Sequence, residues 1–194
     1  METKTVDTTL GALNYDSNSA VANCMVLLNT IPTGTSAITR VGKAVNMIGI
    51  QLRFQILAAS ATITQHCATL LIYVRNNNQA ASLPAVADIL VSQSANSLTN
   101  RDNSSKFKIL RRWDDVITGN STTPATGNEC IVHDEYVKLN YLPAQWTAAS
   151  TAGTIGEFEK GSLLLLTVGT GANGATTTPT LASSSCTRAY FKDA

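Results

Sequence analysis

Apolar and polar residues alternate with a period of two along much of this chain, while the three-to-four spacing of an amphipathic helix is almost missing. With β-branched and turn residues recurring throughout, the pattern predicts an all-β protein. In VNMIGIQLRFQIL, residues 45 to 57, one face of a strand carries Val45, Met47, Gly49, Gln51, Arg53 and Gln55, and the other carries Ile48, Ile50, Leu52, Phe54 and Ile56. The second of these is the expected core face. ATLLIYVR, 68 to 75, and GSLLLLTVG, 161 to 169, are nearly continuous apolar runs, which predicts strands buried on both sides. KFKILRRWDDVITG at 106 to 119, CIVHDEYVKLNYL at 130 to 142 and CTRAYF at 186 to 191 add further strands, with weaker candidates at 3 to 8, 20 to 28 and 145 to 155. One short helix is expected near 84 to 92, where Pro84 suits a first turn and Val86, Ile89 and Leu90 form an apolar stripe. About eight strands joined by Gly/Pro/Thr-rich connections, without an internal repeat or linker, make a single sandwich or jelly-roll domain over residues 1 to 194.

Composition changes this picture in one respect. Charged residues are 14% of the chain, against about 25% in an ordinary soluble domain, and Thr, Ser, Asn and Ala take their place. A surface so poor in charge suits a protein whose exterior is covered by copies of itself. The net charge is +1, spread along the chain, which predicts neither a DNA-binding protein nor an acidic tail. Cys24, Cys67, Cys130 and Cys186 never form CxxC, so four reduced thiols in an intracellular protein are expected, and the sequons at Asn103 and Asn120 carry no meaning there. The longest apolar stretches are too short to cross a bilayer as a helix, so a soluble protein without a membrane partner is expected.

Candidate chemistry is thin. His133, Asp134 and Glu135 are adjacent, but in a strand Asp134 points away from the other two, so an acid/base trio does not converge. His66 and Cys67 with Cys130 and His133 could offer two nitrogens and two sulfurs to zinc, at spacings unlike those of a finger or ribbon. The Gly-rich stretch from 169 to 180 lacks the Lys-Ser/Thr ending of a phosphate-binding loop and reads as a surface loop. The run from 106 to 119 is the densest in charge. As a strand it places Phe107, Ile109, Arg111 and Trp113 on one side and Lys106, Lys108, Leu110, Arg112 and Asp114 on the other, whereas a phosphate-tracking patch needs its cations on one face. Arg111, Arg112, Asp114 and Asp115 are expected instead at a subunit interface, where Arg/Asp pairs close against a neighbour. No enzymatic activity is expected.

Taken in order, ITRVGKAVNMIGIQLRFQI, TLLIYVRNNNQAASLPAVADIL, FKILRRWDDV and AYFKDA resemble the capsid proteins of satellite tobacco necrosis virus and of circular Rep-encoding single-stranded DNA viruses. The shared pattern is an Arg-x-Gly before a long strand, a strand ending in an Arg/Asn loop, a Pro-led short helix and then Phe-x-x-Leu, over nearly the whole chain. The resemblance implies an all-β, eight-stranded jelly roll and a structural protein of the virion, about sixty copies of which close a T=1 icosahedral shell around a small single-stranded genome. It implies assembly inside the host cell, in nucleus or cytoplasm. It also implies a basic N-terminal arm that neutralises the genome, and an arm absent or removed is the expectation here, because about sixty copies at +1 fall far short of the charge on a genome of roughly a thousand nucleotides. Capsids of the satellite type can hold calcium between subunits, which would place the carbonyls of Val41 and Ala44 and the carboxylate of a neighbour's Asp193 around the ion. Lys43 stands where the satellite motif is acidic, and favours a plain solvated carboxylate at Asp193 with no cofactor required. The alternative is a carbohydrate- or receptor-binding jelly roll, for which the chain is short of aromatics: Trp113 and Trp146 are its only tryptophans.

Overall fold

A computed structural model of the chain describes residues 2–16, 24–58, 64–77, 82–119, 129–148, 153–170 and 179–194, and within them ten strands form two antiparallel sheets. The strands are β1 (Lys4–Thr9), β2 (Met25–Leu27), β3 (Ala44–Leu57), β4 (Thr64–Val74), β5 (Phe107–Thr118), β6 (Cys130–Trp146), β7 (Phe158–Lys160), β8 (Ser162–Gly169), β9 (Thr180–Leu181) and β10 (Cys186–Asp193). One sheet runs β1-β10-β3-β6-β7, with β9 also on β3; the other runs β2-β8-β4-β5. Without the short β7 and β9, this is two sheets of four strands in the order of an eight-stranded jelly roll.

The two apolar runs are buried on both sides, as their sequences require. In β4, Cys67, Leu71 and Tyr73 face the space between the sheets, while Ala68, Leu70, Ile72 and Val74 face outward; β8 does the same with Leu163 and Leu165 inward and Leu164, Leu166 and Val168 outward. A second apolar layer covers the outward set: Val86, Ile89, Leu90 and Ala95 on one side, Cys24 and Met25 on the other. Each buried Leu or Ile there contributes about 1.5–3 kcal/mol, which is why so short a helix holds its place. That helix, α1, is the single turn Val86–Ile89, shorter than the expected 84 to 92. The Asp88 carboxylate accepts the Ala85 amide at 3.0 Å and starts the turn. Leu90 is already extended, at φ −117° and ψ 148°, and the Val91 amide then donates to Leu98.

Two bulges correct the expected faces. In β3 the register slips between Met47 and Gly49, so Val45 and Met47 are buried on the same side as Ile50, Leu52, Phe54 and Ile56, and Ile48 is the extra residue. One inserted residue reverses a period-two pattern. Opposite Ile48, β6 passes through Asn140 (φ 52°) and Tyr141 (φ 61°), left-handed conformations that Asn tolerates and that cost Tyr about 1–2 kcal/mol. In β5 the slip falls at Leu110: Phe107 and Ile109 pack with the outer layer, whereas Leu110, Trp113 and Ile117 pack between the sheets. Of the candidate strand at 145 to 155, residues 145–146 end β6, 149–152 lie outside the described residues, and Ile155–Glu157 is a 3₁₀ turn. Of the candidate at 20 to 28, residues 20–23 lie outside the described residues, and Met25–Leu27 form a strand.

Candidate functional site

The charged run of β5 sits at the edge of its sheet, and the Leu110 bulge divides its side chains into two groups. Facing the other sheet, Arg111 meets Glu135 of β6 at 2.9 Å, Trp113 donates its indole N–H to the same carboxylate at 2.7 Å, and Asp115 lies 2.9 Å from His133 Nε2. Phe54 of β3 closes this group, stacked on the His133 imidazole at 4.8 Å and edge-on to Trp113 at 5.4 Å. On the opposite face, Arg112 is forked onto Asp114 at 2.9 and 3.0 Å and donates to the carbonyls of Ala95 and Ser97, which fixes the loop after α1. Asp114 also lies 3.4 Å from His66 Nε2, and His66 Nδ1 is 2.6 Å from Asn96 Oδ1. Arg111, Arg112, Asp114 and Asp115, expected to meet a neighbour, therefore each have a partner in their own chain. Both histidines of the chain are paired with adjacent aspartates on the two faces of one strand.

This arrangement ties an edge strand down from both sides. His133 and Glu135 share a face and Asp134 points away from them, where its carboxylate accepts from Gln51 at 3.3 Å. His133 has an aspartate on one side and a phenylalanine on the other, with no nucleophile in its contacts. The proposed zinc set does not come together either. His66 and Cys67 are on opposite faces of β4; Cys130 is exposed and accepts from Gln55, while His133 faces inward. Among the described residues no three His, Cys, Asp or Glu side chains are grouped to hold a metal. Burial pushes the Cys67 thiol up to about 12, with the Asp115 charge adding to it. The Gly-rich stretch lies largely outside the described residues.

Asp193, expected beside Val41 and Ala44 across a subunit boundary, stands by this segment in its own subunit. Its carboxylate accepts the Val41 amide at 2.9 Å and binds the Lys4 ammonium at 2.8 Å; Lys4 also donates to the Thr39 carbonyl at 3.0 Å. The carbonyl of Ala44 accepts the Ala194 amide at 3.3 Å. Burial works against ionising Asp193, but the Lys4 and Val41 hydrogen bonds outweigh it and hold the carboxyl below its ordinary range. A lysine ammonium thus already neutralises the acid that calcium would need.

Arg40 is a residue whose role the sequence did not disclose. It is fully buried, lies 4.3 Å over the Trp146 ring, and donates to Ile31 at 3.1 Å, to Gly42 and to Ala148 at 3.5 Å. Gly42 turns the chain at φ 85°, a conformation that Gly adopts without penalty. The Arg-x-Gly motif therefore joins the entry of β3 to the end of β6. The available signal was a lone Arg directly before a core strand, in a chain with few charges.

No protein-family model matches the chain, and no curated protein matches it in sequence.

Proposed function

We propose that this chain is a structural protein, the subunit of a T=1 icosahedral capsid of about sixty copies that encloses a small single-stranded genome. The observation that carries the proposal is the jelly-roll strand order, together with the motifs by which the sequence resembles capsid proteins: the Arg-x-Gly before β3, the Pro-led turn α1 and the Phe-x-x-Leu at the start of β5. The low share of charged residues, 14% of the chain, also suits an exterior covered by copies of itself.

A closed shell requires large permanent interfaces. Velocity sedimentation and negative-stain imaging of the purified protein at neutral pH and moderate salt are expected to show particles of about sixty subunits. Monomers or trimers alone under those conditions would defeat the proposal. A glycan array with clear hits and no particles would favour a carbohydrate-binding jelly roll instead.

A further inference from the structure

The two sheets differ on their outer faces. The outer face of β4 and β8 is covered by α1, its following loop and the segment around Cys24, whereas no described segment packs over the outer face formed by β1, β10, β3 and the first half of β6. That bare face holds four of the fourteen Lys and Arg residues: Arg53 on β3, Lys138 on β6, and Arg188 and Lys192 on β10. Its acids are Asp7 and Asp134, and Asp134 is the register partner of Arg53. Asp7 is forked to Arg188 at 2.7 Å on both bonds, and Asp134 accepts from Gln51. Arg53, Lys138 and Lys192 have no ion pair among the described residues.

Between these cations lies an aromatic shelf. Tyr136 is half exposed, and its ring rests over Gly49, where a Cβ would come within 2.0 Å of the phenol oxygen. Tyr190 meets it edge-on at 5.7 Å and is steadied by Gln51 at 3.4 Å. The lack of a side chain at Gly49 is what lets Tyr136 lie along the sheet. Strand spacing puts Lys138 about 14 Å from Arg53, on the far side of this shelf. Cations around one exposed ring and one partly buried ring match the sugar-phosphate chain and base faces of a single-stranded nucleic acid.

The geometry points to this face as a docking surface for single-stranded nucleic acid, with Arg53, Lys138 and Lys192 on phosphates and Tyr136 and Tyr190 under bases. It gives the capsid proposal a place for its cargo on the folded domain itself, and it is tested separately, on dissociated subunits. Fluorescence anisotropy with labelled oligothymidylate and oligouridylate of about twenty nucleotides supplies a DNA arm and an RNA arm. Binding is expected to weaken with salt. The R53Q/K138Q/K192Q variant should lower the log–log salt slope by about two, since each phosphate contact on a single strand contributes about 0.7. Y136L/Y190L should weaken binding by roughly thirtyfold or more and leave the slope unchanged. K108Q, on the other sheet, should match the unsubstituted protein. Lys138 is exposed, and the single K138Q variant, with a slope lowered by about 0.7, provides the same test with the least change. Absence of binding at low salt, or equal losses from K108Q and the triple variant, would overturn the inference. So would self-association that the triple variant abolishes without oligonucleotide binding, because a second copy would then cover the face. Intact particles whose subunits bind no oligonucleotide would refute the inference and leave the capsid proposal standing.

Discussion

Arg40→Met tests whether a buried cation holds the entry of β3. The substitution keeps an unbranched apolar stem but removes the guanidinium that serves three carbonyls and lies on Trp146. Two of these hydrogen bonds are firm, each worth about 1.5–3 kcal/mol because the donor is charged, and the bond to Ala148 at 3.5 Å is long enough to discount. The desolvated cation–π contact adds about 2 kcal/mol. Against these losses stands relief from burying a charge, about 2 kcal/mol or more. The balance is a destabilisation of about 3–5 kcal/mol, or a fall in Tm of roughly 10 °C for a chain of this length. Urea unfolding of the purified protein, followed by tryptophan fluorescence, measures it directly. Arg40→Lys, which keeps the charge but not the fork, should fall between the two. A loss below about 1 kcal/mol for Arg40→Met would mean that Arg40 is only tolerated at its site and does not organise it.

Three further outcomes are expected. Gly161→Ala should destabilise by about 3 kcal/mol or more in the same unfolding assay, because φ is 84° there and a Cβ would lie 2.1 Å from the Pro143 carbonyl oxygen; a neutral effect would show that the β7–β8 turn can move away from β6. In native subunits a thiol reagent should label Cys130 and Cys186 promptly, and Cys24 and Cys67 only on unfolding, since the first pair is exposed and the second buried; mass spectrometry finding rapid labelling of Cys67 would contradict its place between the sheets. Asp193 has a lowered folded pKa, so its stabilising contribution is fully present above the unfolded carboxyl value of about 3.9 and is lost as pH falls through the folded value. Asp193→Asn should flatten the acid limb of the stability profile below about pH 4, and an unchanged limb would show that Lys4 and Asp193 do not interact in solution.

How much of this fold can be read from the sequence depends on whether the period of two stays unbroken. β4 and β8 are legible because a continuous apolar run survives any choice of face. β3 and β5 are legible as strands but not in their facing, since Ile48 and Leu110 each add one residue and the alternation resumes out of phase. Nothing local marks Ile48 as the extra residue; its place is set by the partners on β10 and β6. The helix was overextended because Val86, Ile89 and Leu90 make the same stripe whether Leu90 ends a helix or begins an extended segment. The His133–Asp115 and Arg111–Glu135 pairs join strands of different sheets, separated in sequence by a segment partly outside the described residues. Local spacing carries no trace of such pairs. The cationic face of β3, β6 and β10 is not legible for a related reason, because its four basic residues come from three strands brought side by side only by the strand order.

The strand order also sets a timetable. β10, the last strand in sequence, lies between β1 and β3, so the first strand has no partner until residues 186–193 have been made. A ribosome-bound chain can pair β3 with β6 and β4 with β5 and β8, but it must leave the β1-facing edge of β3 open until residues 186–193 have emerged. Such late closure is slow, because the loop to be closed is almost the whole chain. A chain built this way cannot complete the sheet of β1, β10, β3 and β6 until β10 has been made. Premature termination near residue 185 would remove the strand that joins β1 to β3, and such fragments are expected to aggregate or be degraded.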